Sequence, residues 1–146
     1  VYRGIATSND QKVIIKSTNQ SGDRDMFLDH EYHVLDQLKG EHFPKYVTHF
    51  DAHHNKILVI DDLGGELLTH LVQQRAMRPF EFLSFAIKLV TIVAAIHQKG
   101  LVHCGIKPSS ILYDVKTGHV SLLNYTVVAS TGFSIYPNCS VIPYST

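Results

Sequence analysis

The chain has 146 residues, 45% hydrophobic and 10% aromatic, with thirteen basic and thirteen acidic side chains. That composition suits one globular unit, or part of one, and excludes a disordered tail. Zero net charge leaves no electrostatic footprint for nucleic acid or an anionic membrane surface, and two cysteines make no disulfide framework.

In chain order, two β-type runs, Val1 to Thr7 and Lys12 to Ser17, flank the turn residues Ser8-Asn9-Asp10 and predict a hairpin. In SGDRDMFLDHEYHVLDQLKG, residues Phe27, Leu28, Glu31, Val34, Leu35 and Leu38 recur at helical spacing and the run closes on Gly40. This predicts a helix of about four turns. After Pro44, YVTHFDAHH and KILVIDD read as two further strands around His53-His54-Asn55. Asp61 to Glu66, with adjacent Gly64 and Gly65, suits a connector between two halves better than a strand interior.

ELLTHLVQQ then reads as a short helix, and the run from Pro79 to Gly100 as a longer one, with proline near its start and glycine at its close. Being apolar on nearly all sides, this helix is expected to be buried all round. Its most apolar part, Phe80 to Ile96, carries Glu81 and Lys88 and is shorter than the roughly 20 residues that cross a bilayer. ILYDV and HVSLL bracket Lys116-Thr117-Gly118 as another hairpin, and the tail from Thr131 has loop composition. Ser140, Tyr144 and Thr146 in that tail are candidates for modification. The start at Val1 and the end at IPYST read as a segment of something larger, with no signal peptide at its head.

The ten histidines invite a metal reading, above all His49, His53 and His54. They have no cysteine partner nearby and fit no standard zinc spacing, so exposed hairpin histidines are expected. His30 and His33, three apart on the predicted helix, are expected to be solvated or packed.

The order of Val13-Ile14-Ile15-Lys16 on a strand, a glutamate on the next helix, a glycine-bearing connector, an apolar helix, then HCGIKPSSIL and a hairpin resembles a eukaryotic-type protein kinase domain. The resemblance implies an α+β fold, incomplete here. Residues 1–60 would be the small β-sheet lobe with one helix, lacking the Gly-rich loop, and 61–66 the hinge. Residues 67–146 would start the helical lobe, with its first helices and catalytic-loop hairpin, and run into the activation segment. It also implies that Lys16, Glu31 and Lys107 lie around nucleotide phosphates, that Ile60 is the gatekeeper, and that Asp61 to Leu63 form the hinge against adenine. His103 would hold the catalytic loop.

The chain departs from the family where its chemistry resides. Cys104, Gly105 and Ser110 stand where the family's H-R-D-x-K-P-x-N has arginine, aspartate and asparagine, and Asn124-Tyr125-Thr126 replace D-F-G. Loss of a positioned general base costs about 10²–10⁴ in rate. Serine and a neutral carboxamide leave the two magnesium positions without a carboxylate. Asp114 is the nearest substitute and is expected in the hairpin. The resemblance thus implies no catalytic residue at Gly105, Ser110 or Asn124, no metal, and either ATP as a ligand without magnesium or no cofactor at all. Cys104 is expected as a small buried side chain filling the arginine's space. Without that arginine, the domain is not switched by an ion pair to a phosphorylated activation loop.

YRGIATSNDQKVIIK, ILVIDDLGGELL and AAIHQKGLVHCGIKPSSIL look like the kinase-like domain at the N-terminal end of large hybrid sensor histidine kinases of fungi and bacteria. This narrower resemblance implies a regulatory or docking module in a stress-response phosphorelay. The parent would be cytoplasmic and homodimeric, with an ATP-dependent histidine kinase core. Its partners would be other domains of the same chain or signalling proteins, with no nucleic acid and no membrane segment in this region. The alternatives are an active but atypical Ser/Thr kinase domain and a purely structural interaction domain.

Overall fold

The structure, a computed structural model, describes residues 1–18, 23–40, 42–52 and 55–130. Strands β1 (Tyr2–Ile5), β2 (Lys12–Ser17), β3 (Tyr46–Ala52) and β4 (Asn55–Asp61) form an antiparallel sheet in the order β1-β2-β4-β3. The period of two in KVIIKS turns Ile14 and Lys16 to one face, where they pair with Ile60 and Leu58 of β4. Helix α1 (Asp23–Gln37) crosses that face and buries Val34, Leu35 and, just beyond its end, Leu38. Phe27, placed on the apolar face by its spacing, is instead exposed.

Residues 62–65 connect the sheet to the second half. Gly65 has φ +84°, and a Cβ there would lie 2.8 Å from the carbonyl carbon of Tyr113, so both the backbone angle and the close approach require glycine. The helix read from Glu66 starts two residues later. Glu66–Leu67 is a strand, β5, pairing with Tyr113 and Leu112, and α2 spans Leu68–Gln74. Helix α3 (Pro79–Gln98) has proline at its first turn and ends at Gly100, whose φ is +68° and whose N–H donates to His97 O.

After α3, strand β6 (Leu101–Val102) pairs with β9 (Ala129–Ser130), and β7 (Ile111–Tyr113) with β8 (Val120–Leu122). Single 3₁₀ turns at Pro108–Ser110 and Tyr125–Val127 precede β7 and β9. The core runs without a break from Ile14, Leu58 and Ile60 of the sheet to Ile92, Ile96, Ile111, Leu122 and Tyr125.

Helix α3 is not buried all round. Phe85, Ile92 and Ile96 are buried, whereas Phe80, Leu83, Ile87 and Val90 are exposed, Ile87 by 68%. One side packs against β6 and β8, and the described residues supply no second layer. At 20 residues α3 is also long and apolar enough, by length and composition alone, to cross a membrane, contrary to the shorter span read from the sequence. His53, His54, Cys139, Ser140, Tyr144 and Thr146 lie outside the described residues.

Candidate functional site

The face of β2 that carries Ile14 also carries Lys16, and α1 lays Glu31 across it. Lys16 Nζ lies 2.5 Å from Glu31 Oε1, with the two side chains 8% and 0% exposed. Burying an ion pair costs desolvation, which close contact and further hydrogen bonds offset. The further bond is present, because Glu31 Oε1 also accepts the N–H of Tyr125 at 3.1 Å. Beside it, His30 Nε2 lies 2.7 Å from Val128 O. Helix α1 is thereby fastened to the sheet on one side and to the 3₁₀ turn at Tyr125–Val127 on the other.

The loop from His103 to Ser110 is closed by its own side chains. His103 is buried; its Nε2 donates to Leu123 O at 3.2 Å while its Nδ1 accepts the Gly105 N–H at 3.3 Å. Both bonds require the neutral ring with its proton on Nε2. Burial pushes the His103 pKa down, outweighing the Leu123 carbonyl and the Glu31 charge, which act upward. Ser110, fully buried, directs its hydroxyl to the carbonyls of Gly105 at 2.8 Å and Lys107 at 2.9 Å and accepts the Lys107 N–H at 3.0 Å. Its oxygen is occupied by the loop. Lys107 itself is exposed.

Gly105 faces the turn that follows Asn124. A Cβ at 105 would fall 2.6 Å from Val127 Cγ2, well inside contact distance, so the valine fills the space a side chain would take. Asn124 sits in the left-handed region at φ 62°, ψ 60°, which asparagine tolerates better than most residues with a side chain. Asp114 is spent on its hairpin, accepting the N–H of Lys116 at 2.9 Å and the hydroxyl of Thr117 at 2.8 Å. Cys104 is exposed rather than buried. Its φ of +53° lies in the left-handed region.

A magnesium ion does not fit these residues. The Ser110 oxygen is taken, Asn124 is neutral, Asp114 is turned to its own loop, and the described residues hold no cluster of three or more histidine, cysteine or acidic groups.

The structure brings Lys16, Glu31, His103, Gly105 and Tyr125 together. Ile60 is fully buried behind them. Asp61 accepts the backbone N–H of Lys45, and its own N–H goes to Lys45 O at 2.9 Å. Burial raises the Asp61 pKa, against the hydrogen bond and charge of Lys45. A cavity of about 300 Å³ opens between the sheet and the second half, lined by Ile14, Leu67, Leu112, Leu123, Arg3 and Glu66 among others. Ile60, Asp61, Leu63, Lys16 and Lys107 are not in its lining. Sequence reading missed this cavity because Leu67 and Leu112 meet only through the β5–β7 pairing. Of the histidines, His49 lies 2.7 Å from the Tyr46 hydroxyl, and His33 is exposed.

A family profile for the protein kinase domain matches residues 1–134. Among curated proteins, the chain is 29% identical over 78% of its length to "Citron rho-interacting kinase" of Rattus norvegicus. It is 29% identical over 86% to "Serine/threonine-protein kinase RUNKEL" of Arabidopsis thaliana, and 30% identical over 81% to "Ribosomal protein S6 kinase 2 beta" of Xenopus laevis. The matched parts are 6%, 9% and 18% of those proteins, so the chain spans a small share of each.

Proposed function

The chain belongs to the protein kinase domain family, and from that membership we propose that it is a catalytically impaired, kinase-like regulatory or docking module of a larger signalling protein. The observation that carries the reading is the contrast between frame and chemistry. The Lys16–Glu31 pair is closed at 2.5 Å and tied to Tyr125, while position 105 has no side chain and is packed against Val127. A general base within reach of a substrate hydroxyl and a hard anionic metal site both have to be present for transfer. An assembled frame without them suits a part that other domains read by shape.

In this reading residues 1–60, 61–66 and 67–146 are small lobe, hinge and the start of the large lobe. Lys16, Glu31 and Lys107 lie on the phosphate side of a nucleotide bound without magnesium, and Ile60, Asp61 and Leu63 stand behind its base. The domain serves a cytoplasmic, homodimeric hybrid sensor histidine kinase in a stress-response phosphorelay, supported by the three segments quoted for that resemblance. A histidine phosphoacceptor helix later in the reading frame is the expected finding, and its absence would remove the phosphorelay.

The same closed ion pair also favours a second reading, an active Ser/Thr kinase with an atypical base. Phosphate transfer from radiolabelled ATP with magnesium by the full-length protein decides between them. We expect no transfer that depends on Lys16, and transfer abolished by Lys16→Met establishes the second reading.

A further inference from the structure

We propose that the outer edge of β3 pairs with the same edge of a second copy of the chain, antiparallel about Phe50, joining two sheets into one. The inference rests on the homodimeric parent proposed above and names where in this domain the two copies meet. In the sheet order β1-β2-β4-β3, strand β3 is terminal, and every residue of it but Ala52 is exposed. A bulge between Tyr46 and Thr48 interrupts its register with β4, a device that blunts an edge. From Thr48 to Ala52 the register is regular, and this stretch has neither the proline nor the lysine that deters strand addition.

The backbone of that stretch faces the right way. Lys56 of β4 donates its N–H to Thr18 Oγ1 at 3.0 Å, and its carbonyl accepts the Thr18 N–H at 3.1 Å. Its backbone therefore points away from β3, and by alternation that of Ile57 points toward β3, where it meets Phe50. The N–H and C=O groups of His49 and Asp51 then point outward, and among the described residues no strand lies beyond them. Antiparallel pairing about Phe50 sets each His49 against Asp51 of the other copy as a hydrogen-bonded pair, and Phe50 against Phe50 as the closer, non-hydrogen-bonded kind.

The side chains match in that register. The His49 tautomer that accepts the Tyr46 hydroxyl at Nδ1, 2.7 Å away, presents its Nε2 proton to the Asp51 carboxylate. Phe50, 47% exposed, gains an aromatic partner. Thr48 meets Ala52, and no like charges are brought together. The strip is short, well below the roughly 1,200 Å² of a stable interface. It therefore closes where the parent holds two copies near each other, and not between free chains.

Cysteine cross-linking in the full-length protein, with sedimentation velocity beside it, tests the inference. Phe50→Cys places two thiols directly opposite, with Cβ atoms about 4.5–5.5 Å apart, close to disulfide reach. Thr48→Cys is the control, because in this register its counterpart lies roughly 13 Å along the strands. Under mild oxidation, Phe50→Cys is expected to form a covalent dimer about tenfold faster than Thr48→Cys or the unsubstituted protein. Equal rates for the two variants overturn the inference. So does a Phe50→Cys protein that sediments as a dimer and forms no cross-link, a result that leaves the homodimeric parent standing. A full-length protein that sediments as a monomer overturns both.

Discussion

At Gly105 the side chain of Val127 occupies the space that a Cβ would take. Because a Cβ would meet Val127 Cγ2 at 2.6 Å, restoring a carboxylate needs more than one substitution. Gly105→Ala is expected to destabilise the protein by about 1–3 kcal/mol through overpacking. Val127→Ala in the same chain should recover a large part of that loss. Urea unfolding of the two variants checks the pair, and a neutral Gly105→Ala would show that the valine yields freely. Ser110 tells a related story. Its hydroxyl has become the clasp of the loop, a role invisible in the sequence because it depends on where the Gly105 and Lys107 carbonyls point.

Several elements were legible: β2 and β4 from their strand-like runs, α1 from Val34, Leu35 and Leu38, and the β7–β8 hairpin from Lys116-Thr117-Gly118. The two-residue strands were not. Glu66 and Leu67 pair with residues more than forty positions away, and Leu101 and Val102 with Ser130 and Ala129, so nothing local specifies them. Family resemblance singled out Lys16 and Glu31, and the structure pairs them and adds the Tyr125 N–H. Helix α1 therefore owes its position to a few buried polar contacts. Glu31→Ala strands Lys16 and is expected to cost about 3–5 kcal/mol. Replacing both partners, Lys16→Met with Glu31→Leu, should cost less than that single change, since two apolar groups need no compensation. Singles below about 1 kcal/mol in chemical denaturation would mean the pair is solvated.

For the molecule as a whole, hydrophobic content is unevenly covered. Phe80, Leu83, Ile87 and Val90 recur every three or four residues along the uncovered side of α3, a contiguous stripe of the kind that drives association. The sequence announced the apolarity of this helix, but whether it would be buried depends on how many layers pack around it. The 146-residue polypeptide is expected to self-associate as its concentration rises, and Ile87→Glu with Val90→Glu to return it to a monomer in sedimentation velocity. Equal sedimentation of parent and variant would show that the stripe is already masked.

Asn124 has a consequence of a different sort. The left-handed turn there admits glycine, asparagine or aspartate at little cost, so exchange of a carboxylate for a carboxamide leaves the backbone path intact. The two departures from the family pattern thus differ in reversibility. One substitution could return a charge at 124, while at 105 the neighbouring valine has to retreat first. The departure at 124 leaves the door open, and the departure at 105 works as a ratchet.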